Sequence, residues 1–215
     1  MSRESLNNQK KRISKIIKLL KTEYPDSRCS LIYETPFQLL VATILSAQCT
    51  DERVNKVTKK LFLKYPDPKS FSELTKEEIG ELIFSTGFYN NKSKSIKNMS
   101  NIVYSKFNGE IPSDIDELTK LPGVGRKTAN VVLGNVFNKP ALVVDTHVTR
   151  ISNLLKFVKS RNAVLIEKQL MKIIDNKDWS IFAHLLIDHG RKVCIANRPK
   201  CEQCILSQYC PSSNK

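Results

Sequence analysis

Apolar residues recur at intervals of three and four along most of the chain, which is the period of an amphipathic α-helix. On the first predicted helix Ile13, Ile16, Ile17 and Leu20 form this stripe, and Pro25 closes the helix off. Further helices are predicted over residues 37–47, 51–65, 72–85, 92–107, 115–121, 126–137, 145–155, 164–174 and 179–191. Turns that contain proline or glycine separate several of these segments. The pattern therefore predicts an all-α protein.

Contact with a membrane is not expected. The first apolar stripe could lie on a membrane surface, but a single short stripe favours burial in a protein core. The longest apolar run, around residues 39–45, is far shorter than the roughly 20 residues that cross a bilayer. The N-terminal residues are polar and basic and lack the apolar core of a signal peptide. We therefore expect a cytoplasmic protein.

The charge balance points to a polyanionic partner. The chain has 215 residues, with 35 Lys and Arg against 21 Asp and Glu, which gives a formal net charge of +14. The basic residues form short clusters along the chain rather than one tail, which favours a folded basic surface. Nucleic acid fits such a surface, and a compositional bias towards lysine is the alternative explanation.

The segment of residues 121–128 (Leu-Pro-Gly-Val-Gly-Arg-Lys-Thr) lies between two predicted helices. Pro122 ends the incoming helix, while Gly123 and Gly125 permit positive φ and close backbone approach. The outgoing helix is predicted to begin at Gly125 or Arg126, where its free amides can bind a phosphate. Such a helix-hairpin-helix motif would hold a nucleic-acid backbone without reading its sequence. An ordinary Pro-Gly helical hairpin is the alternative, and the second glycine followed by Arg-Lys argues against it.

Lys127 lies in the first turn of the outgoing helix, where a cation opposes the helix dipole. An amine in this unusual position is a candidate nucleophile. Eighteen residues later, Asp145 places a carboxylate where a short extended segment meets the next helix. Asp145 could be a helix N-cap, a catalytic group, or both. His147 is expected to pack or to contact phosphate rather than to act as a catalyst.

Four cysteines, Cys194, Cys201, Cys204 and Cys210, lie within the last 22 residues. In a chain of this length without an export signal, metal binding is favoured over disulfides. Zinc is usually held by paired Cys-x-x-Cys knuckles, and this segment has one such pair with unequal arms. An iron-sulfur cluster takes four thiolates and tolerates irregular spacing. The spacing therefore favours an iron-sulfur cluster.

Five segments carry a resemblance to a known family. They are residues 45–51 (Leu-Ser-Ala-Gln-Cys-Thr-Asp), 86–90 (Thr-Gly-Phe-Tyr-Asn), the hairpin, 144–147 (Val-Asp-Thr-His) and the four-cysteine loop. In order and spacing the chain closely resembles endonuclease III, a family of pyrimidine-damage DNA glycosylases and abasic-site lyases in the helix-hairpin-helix superfamily. The resemblance covers essentially the whole chain.

The resemblance implies a two-lobed helix-hairpin-helix glycosylase fold, with DNA bound across the cleft between the lobes. Residues 29–139 would form a six-helix barrel domain that includes the hairpin. Residues 1–28 together with 140–215 would form the iron-sulfur domain. The family's nucleophile maps onto Lys127, the partner of the nucleophile onto Asp145, and the 4Fe-4S cluster onto the four cysteines.

Two further family positions map onto Gln48 and Phe88. In the family, the glutamine fills the gap left by an extruded nucleotide, and a side chain before Tyr-Asn wedges into the duplex. Leucine is frequent at the wedge, and the phenylalanine here leaves the opposite-base preference open. Phe88 could instead be buried in the core. The other residues expected to contact DNA are Gly123, Gly125, Arg126 and His147.

The resulting hypothesis is a monomeric base-excision-repair enzyme for duplex DNA that contains damaged pyrimidines or abasic sites. It would remove oxidised pyrimidines and cleave the strand by β-elimination through a lysine Schiff base. The nearest alternative is an adenine-mismatch glycosylase, which normally lacks the hairpin lysine and carries a glutamate in the helix that matches residues 37–47. That segment contains no carboxylate here. A non-catalytic DNA-backbone binder is the other alternative, and the pairing of Lys127 with Asp145 argues against it.

Overall fold

The structure is a computed structural model that describes residues 4–213. Every regular element in this range is helical, so the predicted all-α class is confirmed. The α-helices are α1 (Leu6–Glu23), α2 (Pro36–Leu45), α3 (Asp51–Lys64), α4 (Pro68–Glu73), α5 (Lys76–Ile83), α6 (Tyr89–Lys106), α7 (Ile115–Lys120), α8 (Arg126–Asn135), α9 (Thr146–Leu154), α10 (Ala163–Leu170) and α11 (Trp179–Lys192). Short 3-10 helices cover Phe84–Thr86, Asn176–Asp178, Cys201–Gln203 and Ser207–Tyr209.

Short polar side chains set the starts of most helices. A side chain accepts a hydrogen bond from a first-turn amide at Ser5 for α1, Thr35 for α2, Thr50 for α3, Asp67 for α4, Thr75 for α5, Asp114 for α7, Asp145 for α9 and Asn162 for α10. Each cap satisfies an amide that has no partner inside its helix, and its loss costs about 1 kcal/mol. Among the described residues, α6, α8 and α11 begin without a side-chain cap, at Phe88, Gly125 and Asp178.

The predicted helix over residues 72–85 is wrong. Two short helices, α4 and α5, occupy this region, because capping overrides the apolar period. Asp67 and Ser70 exchange hydrogen bonds at the start of α4, and Thr75 and Glu78 do so at the start of α5. Two other boundaries shift by more than two residues: α6 begins three residues before the predicted start at 92, and α10 ends four residues before the predicted end at 174.

Two compact units make up the chain, and the central unit extends from Cys29 to Lys139. Its core is built around α2, because every residue of this helix from Phe37 to Leu45 is buried. Helices α3, α6 and α8 pack against α2. A helix that is apolar on all sides belongs at the centre of a unit. Helix α2 therefore gives a fixed base to the segment that follows its last residue, Leu45.

The terminal unit combines the segment up to Arg28 with the segment from Pro140 onwards. Helix α1 packs against α11, and α11 packs against α9. The predicted stripe of α1 is at most 4% exposed, so its interpretation as core is confirmed. In residues 4–213 no helix is long and apolar enough to cross a membrane.

Candidate functional site

The predicted hairpin is a tight turn between α7 and α8. Gly123 has a φ of +78°, a conformation that glycine adopts far more readily than other residues. A Cβ atom at this position would also lie 2.7 Å from the Cβ of Ser95 on α6. Val124, which follows, is only 5% exposed and anchors the turn in the core. Both the conformation and the space at residue 123 therefore require glycine.

The first turn of α8 is open to an anion. The helix begins at Arg126, after Gly125 in extended conformation, which is the second of the two predicted starting points. In the described part of the chain no side chain caps this turn, and the turn contains no acidic residue. Lys127 is the second residue of the helix and is exposed. The turn thus combines amides suited to a phosphate with an accessible amine.

Asp145 is the N-cap of α9 in the terminal unit. Its Oδ1 accepts a hydrogen bond from the amide of Val148 at 2.8 Å. The four preceding residues, from Ala141 to Val144, are buried and fix the point at which the helix starts. The capping role that the sequence predicts is therefore present, and the partly exposed carboxylate remains available for a second role.

His147 packs tightly against α11. Its Nδ1 is buried and has no hydrogen-bond partner among the residues that the structure describes. A Cβ atom on Gly190 would collide with this nitrogen, so the glycine makes room for the imidazole. Burial lowers the pKa of His147, as do Arg150 and Arg191, whereas Asp145 acts in the opposite direction. These features describe a neutral packing residue, and a contact of His147 with phosphate stays a prediction.

Gln48 and Phe88 lie in two exposed turns of the central unit. Both have left-handed backbone conformations, with φ values of +54° and +49°. Such a conformation costs a residue with a side chain about 1 kcal/mol, and strain of this kind is concentrated at functional sites. Phe88 is 62% exposed, so the alternative that it is a core residue is wrong. An insertion of either side chain into a duplex stays a prediction.

Lys92 is a residue of this region that the sequence analysis did not single out. Its Nζ donates hydrogen bonds to the carbonyl oxygens of Leu45 and Thr86, each at 2.8 Å. These carbonyls precede the turns that carry Gln48 and Phe88. The structure therefore brings the two predicted DNA-contacting turns together through one buried ammonium group. A signal was present: Lys92 continues the apolar stripe of α6 that Ile96, Met99 and Val103 form.

The four predicted metal ligands line one cavity in the terminal unit. The cavity has a volume of about 80 Å³, and most of its other lining residues are apolar, among them Ile151, Leu155 and Leu206. Cys194, Cys201, Cys204 and Cys210 are each partly buried and carry free thiols. Among residues 4–213, no three His, Cys, Asp or Glu side chains are arranged to hold a single metal ion.

The electrostatics of the four thiols favour a bound cationic centre. Burial raises the pKa of Cys204 and of Cys210, and the charges of neighbouring cysteines raise both further. Four thiolates in one largely apolar cavity would repel each other, so the deprotonated set requires positive charge among them. Arg150 supplies part of this charge, since its Nη1 donates to Sγ of Cys194 at 3.4 Å.

His189 contacts the same cysteine cavity. Its Nε2 lies 3.5 Å from Sγ of Cys204, and its Nδ1 lies 3.0 Å from the hydroxyl of Tyr24. Burial lowers the pKa of His189 to about 4, with a further contribution from Arg150, so the ring is neutral near pH 7. If the Tyr24 hydroxyl donates to Nδ1, the hydrogen of His189 is on Nε2 and is directed at the sulfur.

Arg12 ties α1 to the cysteine segment. Its Nη1 donates to the carbonyl oxygens of Leu155 and Tyr209, at 2.9 and 3.0 Å. The same guanidinium pairs with Glu4 and lies 4.1 Å from the ring centre of Phe157. Tyr209 directly precedes Cys210, so Arg12 holds the last cysteine loop against the helices of the terminal unit.

Comparisons with known proteins agree with this arrangement. The sequence profile of the HhH-GPD superfamily of base excision DNA repair proteins matches residues 41–176. Endonuclease III of Synechocystis sp. is 50% identical over 207 residues, which are 96% of this chain and 94% of the relative. A solved non-covalent endonuclease III–DNA complex has a TM-score of 0.90 and 45% identity, over 95% of this chain and 96% of the other. A trapped endonuclease III–DNA covalent intermediate has a TM-score of 0.89 and 46% identity, with the same coverage. The chain therefore belongs to the endonuclease III family of the HhH-GPD superfamily.

Proposed function

We propose that this protein is a DNA glycosylase and abasic-site lyase that removes oxidised pyrimidines from duplex DNA. The observation that carries the proposal is the exposed Lys127 in the uncapped first turn of α8. This amine lies in a chain that is half identical, over nearly its whole length, to an endonuclease III. The trapped covalent complex of a structural neighbour supports covalent chemistry on DNA.

Binding begins at the phosphate backbone. The amides at the start of α8 and the positive end of its dipole would hold one phosphate, with Arg126 beside it. The excess of basic residues would supply further phosphate contacts. Extrusion of the damaged base costs a few kcal/mol, roughly, in lost stacking. Gln48 and Phe88 would offset that cost by occupying the gap and stacking on the bases left behind.

The chemical step uses the Lys127 amine as a nucleophile. The nitrogen forms a bond to C1′ of the deoxyribose while the glycosidic bond breaks, and the departing base takes up a proton. The C1′–O4′ bond then opens, and the nitrogen and C1′ form a Schiff base. Removal of a proton from C2′ breaks the bond between C3′ and its phosphate oxygen. Hydrolysis of the imine returns the free lysine.

Asp145 would act on the same sugar. Its carboxylate would stabilise the positive charge that develops on the deoxyribose as the base departs. It would also orient the amine and help to move protons between the successive steps. These roles are compatible with the cap, which uses Oδ1 to accept one main-chain hydrogen bond.

The cysteine set fits a 4Fe-4S cluster. Cys194, Cys201, Cys204 and Cys210 would hold it, because they are four thiols around one mostly apolar cavity with Arg150 in contact. A bound cluster would supply the cationic centre that the thiolates require and would cross-link the loops that carry them. His189 and Arg150 would donate hydrogen bonds to the ligating sulfurs.

We further propose that the two compact units are the two domains of a helix-hairpin-helix glycosylase. The central unit would be the barrel domain with the hairpin, and the terminal unit would be the iron-sulfur domain. We also propose that the protein acts as a monomer in the bacterial cytoplasm, and its bacterial relatives support this location.

The alternative of an adenine-mismatch glycosylase is not favoured. Helix α2 matches the helix that would carry the glutamate of such an enzyme, and it contains no carboxylate. The hairpin lysine that such enzymes normally lack is present as Lys127. A non-catalytic DNA binder is also disfavoured, because the relatives reported above are enzymes by name.

Borohydride trapping on an abasic duplex tests the proposal. Borohydride reduces an imine to a stable amine, so an enzyme that forms a Schiff base becomes covalently attached to its DNA. We expect an adduct that maps to Lys127 and is lost in Lys127→Ala. Lys120→Ala, which removes a lysine from the end of α7, is the matched control and should retain the adduct. An adduct that persists in Lys127→Ala, or none in the native protein, would contradict the lyase assignment.

A further inference from the structure

Lys92 joins the ends of two helical segments. It lies near the start of α6, is 5% exposed, and donates hydrogen bonds to the carbonyls of Leu45 and Thr86. Leu45 is the last residue of α2, and Thr86 is the last residue of a 3-10 helix. Carbonyls at helix C-termini have no partner inside the helix and lie at the negative end of its dipole. One ammonium group therefore satisfies a carbonyl oxygen at each of the two ends.

Each of these ends leads into an exposed turn. Gln48 follows Leu45 by three residues, and Phe88 follows Thr86 by two. Both residues are exposed and adopt left-handed backbone conformations. A left-handed residue persists only where the surrounding structure over-determines it. The two carbonyls held by Lys92 are fixed points close to both residues.

A buried lysine fills this space at a higher free-energy cost than an apolar side chain of similar size. Burial lowers the pKa of Lys92, because its charged form loses hydration here. A methionine would fill a similar volume without that cost, but it could not hold two carbonyl oxygens at one point. The hydrogen bonds therefore matter for geometry as well as for packing.

We propose that Lys92 is a positioning residue that holds the Gln48 turn and the Phe88 turn at a fixed separation, so that both side chains enter the duplex together. This inference rests on the proposed function, in which Gln48 and Phe88 contact DNA. Lys92 itself touches neither the substrate nor the reacting atoms. Its effect is confined to steps that need an intact duplex to be opened.

The test compares Lys92→Met with Lys97→Met. Lys97 lies on the same helix and also donates to a main-chain carbonyl, that of Ser72 at 2.7 Å, which leads into neither turn. Single-turnover rates are measured on a duplex with an oxidised pyrimidine and on a single-stranded abasic oligonucleotide. Lys92→Met should lose about 10-fold to 100-fold on the duplex, as expected for misplaced positioning groups, and about twofold or less on the single strand. Lys97→Met should match the native protein on both substrates.

Double variants show whether Lys92 acts through the two turns. The loss in Lys92→Met combined with Phe88→Ala, or with Gln48→Ala, should be smaller than the product of the single losses. The inference would be overturned if the loss of the double variant equals the product of the single losses. Equal losses of Lys92→Met on both substrates would also overturn it. If Lys92→Met unfolds at the assay temperature, Lys92→Gln keeps one donor group and should show a smaller loss, again on the duplex only. A native protein that fails to process the damaged duplex would overturn the proposed function itself.

Discussion

Asp145 caps α9 and is proposed to act in catalysis, and substitution can separate these two roles. As the N-cap of α9 it accepts a hydrogen bond from the amide of Val148 at 2.8 Å. Asparagine caps a helix about as well as aspartate, whereas alanine forfeits the cap at a cost of about 1 kcal/mol. For a chain of this size, 1 kcal/mol corresponds to a fall in Tm of about 2–4 °C. We therefore expect Asp145→Asn to melt close to the native protein and Asp145→Ala to melt about 2–4 °C lower.

Activity should follow a different order from stability. Asparagine lacks the charge that would stabilise the developing sugar cation and cannot accept a proton. Asp145→Asn should therefore lose about 10²-fold to 10⁴-fold in the single-turnover rate on an abasic duplex, the range for a missing acid–base group. The affinity of Asp145→Asn for the same duplex should be close to that of the native protein. It is measured without borohydride and at short times. Asp145→Ala should lose at least as much activity.

Asp114 provides the matched control. It caps α7 by accepting hydrogen bonds from the amides of Asp116 and Glu117. Asp114→Ala should lower Tm about as much as Asp145→Ala does and leave the abasic-site rate unchanged. The catalytic role of Asp145 is refuted if Asp145→Asn keeps activity within about threefold of native, far short of the loss expected for an acid–base group. It is also refuted if activity falls in proportion to Tm across all three variants.

Two further predictions concern Phe88 and the cysteine cavity. Because Phe88 is exposed and has a left-handed backbone conformation, Phe88→Gly should leave Tm unchanged or raise it slightly. The same variant should process damaged duplex more slowly and still cleave single-stranded abasic DNA. A large drop in Tm would contradict the exposed placement. Protein purified without air should be brown and contain about four irons with sulfide, and Cys204→Ala should lose the colour. One tightly bound zinc without sulfide would contradict the cluster.

Much of the fold follows from two local signals in the sequence. The apolar period of three and four residues predicts most of the helices, and the capping residues place their starts. The prediction failed over residues 72–85, where apolar spacing suggests one continuous helix. There the capping pairs Asp67 with Ser70 and Thr75 with Glu78 start two separate helices instead. Local hydrogen bonds to the backbone thus outweighed the hydrophobic period over this short segment.

The parts of the candidate site that are formed by residues close together in the sequence could be predicted. The hairpin and the cysteine loop are short motifs whose residue types are required by backbone geometry or by the proposed ligation. Lys92 was missed because the neighbouring Lys94 and Lys97 make the segment resemble a solvated basic face. Only the register of α6 distinguishes them, since Lys92 alone of the three is in line with the buried Ile96 and Met99. Its two carbonyl partners lie far apart in sequence from each other, so no local pattern could identify them.

Helices α2 and α6 together support all three elements that are proposed to contact DNA in the central unit. The Gly123 turn packs against Ser95 of α6, and a Cβ on Gly123 would lie 3.7 Å from the Cδ1 of Ile44 on α2. Lys92 of α6 holds the end of α2, which leads to Gln48, and the 3-10 helix, which leads to Phe88. Because α2 is buried on all sides, these elements share one rigid base. The strained turns are therefore in place before DNA arrives, and binding does not have to meet the entropic cost of ordering them.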